Sequence, residues 1–204
     1  MIEHNKNLEQ QFSHISRFWN STYNRYVLKV LPGEYCVIDN NNCLSTSLGS
    51  CISVTIVDKK NKLAGMNHFM LPEDNSMSMN TYSARYGCWA MEHLVNNMLK
   101  YGAKKESMEF KCFGAGEIMK TLQTSSVAKK NISFISQYFK SENIKVRTLD
   151  VGGSHARKIF LFPETGDVMV KNITISQNAS ISKQEKTYLD GISSDDQGGD
   201  VDLF

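Results

Sequence analysis

The segment from residue 51 to residue 71 constrains the fold of this chain more than any other. Apolar and small polar residues alternate from Cys51 to Val57, which is the period of a half-buried strand. Residues 58–62 have the composition of a turn, and residues 63–71 return as a second apolar stretch. The segment therefore predicts a β-hairpin.

The predicted hairpin brings a thiol close to an imidazole. A turn centred near Lys59 and Lys60 would place Cys51 opposite His68, and opposed β-carbons in an antiparallel pair lie about 4.5–5.5 Å apart. A slip of one residue in the register would send one partner to the other face of the sheet. A thiolate beside an imidazole can attack an amide or ester carbonyl, because the imidazole takes the thiol proton and later gives it to the leaving group. An acyl-transfer enzyme is the first hypothesis.

The residues before the cysteine suggest further members of a site. Gly49 and Ser50 have small side chains, which leaves their backbone N–H groups free to face a developing oxyanion. Ser45, Thr46 and Ser47 are candidates for a third group that orients the base. Their alternative role is simple turn chemistry, since short hydroxyl side chains are common in turns.

The remaining hydrophobic patterns predict an α+β fold. We expect a layered sandwich with a mostly antiparallel sheet that carries the hairpin and with helices packed on it. Helical spacing of apolar residues covers residues 82–100 and recurs around residues 132–139, while strands are predicted at residues 35–39, 108–112, 144–151, 157–162 and 168–173.

Composition divides the chain into three predicted parts. Residues 1–29 are polar with scattered aromatics, as expected of an N-terminal arm that packs on the domain without forming its core. Residues 30–175 form the predicted domain. Residues 176–204 are expected to be a flexible acidic tail, because the last fifteen residues hold five aspartates and three glycines but no lysine or arginine.

The bulk composition excludes several classes of function. The formal net charge is +2, so no general field favours nucleic acid or an anionic membrane surface. The chain lacks an apolar leader and a long apolar run, from which we expect a cytoplasmic protein without membrane insertion. Five cysteines without a CxxC pair fit reduced thiols better than a disulfide framework or a zinc site, so no metal is predicted.

Several motifs together resemble one family. They are Leu-Pro-Gly-Glu-Tyr at residues 31–35, Leu-Gly-Ser-Cys at residues 48–51, Met-Asn-His-Phe-Met-Leu-Pro at residues 66–72 and Asp-Val-Gly-Gly at residues 150–153. In this combination and spacing the sequence closely resembles the chemoreceptor glutamine deamidases, called CheD. The resemblance runs from about residue 17 to residue 173.

The resemblance implies a mechanism and partners. Cys51 would attack the side-chain carboxamide of a receptor glutamine, His68 would activate the thiol and protonate ammonia, and water would hydrolyse the thioester to leave glutamate. The catalytic threonine of the family corresponds to Thr46, although a shift of one residue would substitute Ser45. No cofactor is required. Methyl-accepting chemoreceptor cytoplasmic domains would be the substrates, and a CheC-type phosphatase is a further partner implied by the family.

Two other functions remain open. The protein could be mainly a regulatory binding partner of a CheC-type phosphatase, or a thiol protease.

The family usually has Gly-Gly-Ala after the central strand, whereas this chain has Gly114-Ala115-Gly116, a change expected to reshape a turn without touching Cys51. The chain end at residues 201–204 resembles the ends of some relatives and is either a recruiting segment or an inert tail.

Overall fold

The computed structural model describes residues 2–71, 82–118, 122–173 and 175–195, and the predicted chain-end segment 201–204 lies outside these residues. Four α-helices, α1 to α4, span Ile2–Gln11, Tyr82–Lys100, Leu122–Ser141 and Ile175–Asp195, and a short 3-10 helix spans Lys105–Ser107. The strands β1 to β10 span Ser16–Asn20, Arg25–Lys29, Tyr35–Ile38, Cys43–Leu48, Ile52–Asp58, Leu63–Asn67, Glu109–Gly114, Val146–Val151, Arg157–Phe162 and Asp167–Asn172.

The strands form two five-stranded sheets. Sheet 1 has the order β1-β2-β4-β9-β10, and sheet 2 has the order β3-β6-β5-β7-β8. Neighbouring strands are antiparallel except in the pairs β2–β4 and β7–β8. Helix α2 lies on β3 and β6 and contacts α3. The α+β layered sandwich predicted from the sequence is confirmed, with two sheets among the described residues where the prediction had one.

One apolar core joins the two sheets. Leu44 and Ile159 from sheet 1 belong to the same cluster of buried side chains as Ile56 and Cys112 from sheet 2. Sheet 2 therefore contributes to the core between the sheets and also supports the helices. All seven residues of β5 are buried, although the alternation of its residues predicts a half-buried strand. The strand is buried because it lies in the middle of sheet 2, and this sheet faces the core between the sheets on one side and supports the helices on the other.

The hairpin of β5 and β6 forms as predicted, but with a different register. Asp58 pairs with Leu63, so residues 59–62 make the turn, and an isolated bridge from Ile52 to Phe69 continues the same register. Met70 thus lies opposite Cys51, and the prediction that His68 lies directly opposite is wrong. The cause is local: Asp58 Oδ1 accepts hydrogen bonds from the backbone N–H groups of residues 60 and 61, which centres the turn later in the chain.

The N-terminal residues contribute to the fold more than the sequence predicts. Residues 1–29 are predicted to be an arm outside the core, but β1 and β2 extend sheet 1, and β2 pairs with β4. Leu8 and Phe12 of the first segment are also buried. The prediction fails because these strands are short and rich in polar residues, and their pairing partner lies further along the chain.

The C-terminal residues also differ from the prediction. Residues 176–204 are predicted to be a flexible tail, but residues 175–195 form helix α4. Its buried residues include Ile181 and Glu185. The acidic composition used for the prediction belongs mainly to residues beyond the helix. None of the described helices has the length and apolar character needed to span a membrane.

Candidate active site

The predicted site residues meet at the open end of the hairpin, away from its turn. Thr46 lies on β4, Cys51 directly precedes β5, and His68 directly follows β6. The residues between β4 and β5, Gly49 to Cys51, make the connection between the two sheets. Two neighbouring strand ends of sheet 2 and one strand of sheet 1 therefore hold the three side chains together.

Thr46 contacts His68 directly. The Thr46 Oγ1 atom lies 2.7 Å from His68 Nδ1 and 2.7 Å from the carbonyl oxygen of Val30. A hydroxyl has one proton to donate, and the carbonyl can only accept, so the hydroxyl donates to Val30 and accepts from Nδ1–H. This arrangement leaves the lone pair of the neutral imidazole on Nε2, the nitrogen that would take a proton from a nucleophile.

The other hydroxyl candidate lies elsewhere. Ser45 Oγ is buried and has no hydrogen-bond partner among the described residues. Neighbouring side chains of a strand point to opposite faces, so Ser45 and Thr46 cannot both face His68. The geometry thus brings Thr46, and not Ser45, to the imidazole. Both residues lie within β4, whereas their alternative interpretation was a turn.

His68 is buried and neutral. Its exposed fraction is 2%, and Nε2 has no hydrogen-bond partner among the described residues. Burial disfavours the charged imidazolium and lowers the pKa of His68 to about 4, although the carboxylate of Glu185 acts in the opposite direction. A neutral imidazole with a free nitrogen lone pair is the form that a general base requires.

Cys51 is also buried in the described structure. Its Sγ atom lies 3.7 Å from Met70 Sδ, the residue opposite it in the hairpin. Burial, together with the nearby carboxylate of Glu185, raises the pKa of the Cys51 thiol well above its usual range. Sγ, a ligating nitrogen of His68 and a carboxylate oxygen of Glu185 all lie within 4.8 Å of one another. A small movement would therefore bring the thiol and the imidazole within hydrogen-bond distance, and such long contacts are common in active sites without substrate.

Glu185 of α4 occupies the backbone amides that surround the thiol. Its carboxylate accepts hydrogen bonds from the backbone N–H groups of Gly49, Ser50 and Cys51 at 2.9, 3.1 and 3.2 Å. The hydroxyl of Ser50 donates a further bond of 2.8 Å to the same carboxylate. The sequence predicts that the amides of Gly49 and Ser50 are free to face a developing oxyanion, whereas in the structure both donate to the Glu185 carboxylate.

The turn after β7 holds the backbone around Cys51 through hydrogen bonds. The Ala115 N–H donates to the carbonyl of Cys51 at 2.7 Å, and the Gly116 N–H donates to the carbonyl of Gly49 at 2.6 Å. A Cβ atom on Gly114, where φ is +116°, would collide with the Cys51 carbonyl. The expectation that this turn leaves Cys51 untouched is wrong, because the turn fixes the backbone on both sides of the thiol.

Asn131 of α3 joins the two strand ends at the site. Its Oδ1 accepts from the Leu71 N–H at 2.9 Å, and its Nδ2 donates to the Ser50 carbonyl at 2.8 Å. The side chain is fully buried. One amide thus links the chain before β5 to the chain after β6, where the regular pairing of the hairpin has ended.

Cysteine, histidine and glutamate side chains are also common metal ligands, so these residue types would suit a metal site as well. Cys51, His68 and Glu185 are the one group of three potential ligands this close together among the described residues. However, the Glu185 carboxylate is already coordinated by three N–H groups and one hydroxyl. Such donors carry positive partial charge and suit an anion, so a cation would have to replace the existing hydrogen bonds. The arrangement fits acyl-transfer chemistry better than metal binding.

Sequence reasoning missed Glu185 and Asn131. A signal for Glu185 exists, because Ile181, Tyr188 and Leu189 are spaced as one face of a helix and Glu185 lies on the same face. A carboxylate in the middle of an otherwise apolar face indicates a specific partner. Asn131 has no distinctive spacing in the amphipathic pattern of its helix; the pair Asn131-Ile132 does match the family, but the resemblance assigns it no role.

The fold and the site define an α+β protein with a buried cysteine, histidine and threonine at the junction of two sheets. A family model described as CheD chemotactic sensory transduction matches residues 70–172. The chain belongs to the CheD family.

Full-length relatives support this assignment. The chain is 39% identical to CheD 1 of Shewanella oneidensis over 97% of both chains. It is 38% identical to CheD of Hahella chejuensis over 95% of this chain and 92% of the relative. It is also 38% identical to CheD of Methylobacillus flagellatus over 97% of this chain and 98% of the relative. Each of these relatives is named a probable chemoreceptor glutamine deamidase.

Proposed function

We propose that this chain is a protein-glutamine amidohydrolase that converts specific glutamines of chemoreceptors to glutamate. Its relatives carry the name of this activity. The observation that carries the proposal is the hydrogen bond of 2.7 Å between Thr46 Oγ1 and His68 Nδ1, which leaves Nε2 of the neutral imidazole without a partner among the described residues. One nitrogen of this ring lies within 4.8 Å of Cys51 Sγ. A hydroxyl that fixes the tautomer of a base beside a thiol supports nucleophilic catalysis.

The first half of the reaction is acylation. His68 Nε2 takes the thiol proton, and Cys51 Sγ attacks the carbonyl carbon of the glutamine side chain. The backbone N–H groups of Gly49, Ser50 and Cys51 would stabilise the oxyanion, since they already converge on a carboxylate. His68 then returns the proton to the departing nitrogen, which leaves as ammonia.

The second half of the reaction is hydrolysis. Water attacks the thioester carbonyl and gives one proton to His68, and the proton then passes to the sulfur as the C–S bond breaks. The products are a glutamate side chain and the free thiol. Every step uses groups of this chain and water, and the role of Thr46 is to hold His68 in one tautomer and orientation.

The test measures conversion at individual glutamines. Receptor cytoplasmic fragments are incubated with the wild-type protein, with Cys51→Ala and with Cys88→Ala, and each glutamine is read by mass spectrometry. We expect Cys51→Ala to lose activity at least about 10³-fold, because it removes the nucleophile. Cys88, which lies on α2 away from the site, is the matched control and should remain active.

The other outcomes separate the alternatives. Conversion that survives Cys51→Ala would contradict the thioester mechanism. Cleavage of the receptor chain would identify a thiol protease. If the wild-type protein converts no glutamine, the result would favour the alternative function, a binding partner of a phosphatase of the CheC type.

Thr46 has its own test. Thr46→Val keeps the shape but removes the hydroxyl, so we expect kcat to fall about 10²-fold because the base is no longer held in one tautomer. Thr46→Ser retains the hydroxyl and should keep most of the activity. Equal loss in both variants would assign Thr46 to packing in β4 rather than to orientation of His68.

A further inference from the structure

The carboxylate of Glu185 is an unusual group to find in the interior. Its residue is 5% exposed, and it forms no ion pair with a lysine or arginine of the described chain. A buried carboxylate needs strong hydrogen-bond donors, because transfer from water is otherwise costly. Here the donors are three backbone N–H groups and the hydroxyl of Ser50. The site is therefore built to hold an anionic oxygen group.

The position of Glu185 on its helix points to the same conclusion. Ile181, Tyr188 and Leu189 lie on the same face of α4, where an apolar residue would also be expected at position 185. Lys183 and Lys186, by contrast, are exposed. Helix α4 thus docks with an apolar face that carries one carboxylate, and that carboxylate is directed at the amides next to Cys51.

The surface beneath α4 is shaped to receive it. A Cβ atom on Gly49 would lie 2.9 Å from Glu185 Oε2, and a Cβ atom on Gly33 would lie 2.7 Å from the ring of Tyr188. Gly33 leaves space that Tyr188 of α4 fills, and Gly49 leaves space that Glu185 of α4 shares with Ile118. The helix contacts the protein at the site itself and also at the loop before β3.

A glutamate side chain in this position has the chemical identity of the product of the proposed reaction. We propose that α4 is an intramolecular product analogue: Glu185 occupies the place of the newly formed side-chain carboxylate, and the helix closes the site until a substrate segment displaces it. This inference rests on the proposed function and deepens it. In this closed state Cys51 has 0% exposure.

The first experiment turns the product analogue into a substrate. In Glu185→Gln the side chain at position 185 is an amide held beside the thiol. Cys51 attacks its carbonyl carbon, ammonia leaves with the proton from His68, and water releases the glutamate and the free thiol. We expect mass spectrometry of the purified protein to find glutamate at position 185 after incubation. Gln184, which is exposed, is an internal control and should remain glutamine.

The double variant Glu185→Gln with Cys51→Ala tests the origin of this conversion. It should keep glutamine at position 185 under the same conditions. Conversion in the double variant would mean spontaneous hydrolysis, and it would overturn the proposal. The measurement needs no receptor, so its result is independent of which protein the enzyme acts on.

The second experiment opens the site. Glu185→Ala should raise kcat/KM for receptor fragments at least about tenfold, because the fraction of molecules able to bind substrate increases. Lys186→Ala, a neighbouring exposed residue on the same helix, is the matched control and should keep the wild-type rate. Circular dichroism and an unfolding curve show whether each variant is folded.

The proposal requires both results. Where the wild type converts receptor glutamines, a rate for folded Glu185→Ala equal to or below that of the wild type would overturn it, as would an amide in Glu185→Gln that stays unconverted over hours. If the amide in Glu185→Gln is converted while no receptor glutamine reacts with wild type or Glu185→Ala, the receptor assignment fails and the amidase site remains. If the wild type converts receptors but Glu185→Ala is no faster, the proposed function holds and the closure by α4 does not.

Discussion

Each end of the β5–β6 hairpin contains a buried carboxylate, and the two carboxylates differ in whether they belong to the hairpin or to a distant part of the chain. At the turn end, Asp58 accepts five hydrogen bonds from residues 60, 61, 104 and 107. At the open end, Glu185 accepts its bonds from residues 49 to 51, more than 130 positions away in the chain. The turn end belongs to the sheet itself, whereas the open end is completed by a separate helix.

The protonation properties of the two ends differ as well. Burial alone would raise the pKa of Asp58, but hydrogen bonds from Ser107, Asn61 and Lys104 outweigh it and lower the pKa to about 2. At the open end, burial keeps His68 neutral. The ionised Asp58 carboxylate thus stabilises the fold at the turn end, whereas at the open end a thiol and a neutral imidazole lie beside the Glu185 carboxylate. The end of the hairpin that stabilises the fold is therefore separate from the end that carries the candidate catalytic residues.

The largest expected effect compares the two carboxylates by stability. Asp58→Ala should lower the free energy of unfolding by about 4 kcal/mol, because it leaves several donors around the turn without their charged acceptor. Glu185→Ala should lower it by about 1 kcal/mol or less, since α4 can move and expose the freed amides to water. Urea unfolding of both variants measures the difference. Equal losses would show that Glu185 is as much a part of the fold as Asp58.

The next effect is the response of the two ends to acid. His68 has a pKa of about 4 in the folded protein and an ordinary value of 6.5, so between these values only the unfolded chain takes up the proton. The free energy of unfolding should therefore fall by about 3 kcal/mol as the pH drops from 6.5 to 4, owing to His68 alone. Asp58 contributes stability above pH 3.8, which is lost as the pH falls towards 2.

Urea midpoints measured across this pH range test the order of events. In His68→Gln the loss of stability between pH 6.5 and 4 should be reduced, whereas the loss below pH 4 should persist. The quantity compared is the slope of the free energy of unfolding against pH, and not the absolute stability of the variant. An unchanged slope in His68→Gln would mean that His68 is not held neutral by burial.

The smallest effect concerns the link between the two strands at the open end. Asn131→Ala should lower the free energy of unfolding by about 2 kcal/mol, because it leaves the Leu71 N–H and the Ser50 carbonyl buried without partners. Activity should fall too, since Ser50 adjoins Cys51, the proposed nucleophile. Asn96→Ala, at an exposed position of α2, is the control and should change stability by less than about 0.5 kcal/mol. Normal activity in Asn131→Ala would show that the turn after β7 suffices to position Cys51.

Much of this architecture could be predicted from local sequence patterns. Helix α2 and strand β9 have the predicted bounds, because a regular apolar period and clear turn residues mark both. The hairpin was also predictable, but its register was not. The register depends on which backbone groups the Asp58 side chain binds, and composition does not specify that.

The site could be predicted only as far as its residues are close in sequence. Gly49, Cys51 and His68 belong to one hairpin and its entrance, so their proximity follows from the pattern of strands. The choice of Thr46 over Ser45 needed the resemblance to a family, because both are small hydroxyl residues in one strand. Glu185 reaches the site through the docking of a distant helix, and no local period encodes that contact.

The burial of Cys51 has a consequence for the lifetime of the protein under oxidising conditions. Thiols are oxidised or alkylated in proportion to their exposure and their thiolate content, and Cys51 has no exposed surface and a raised pKa. Peroxide or an alkylating reagent therefore reaches the sulfur only during openings of the structure above it. The rate at which Cys51 is modified therefore measures how often these openings occur, and the closed conformation protects from oxidation the sulfur atom that we propose as the nucleophile.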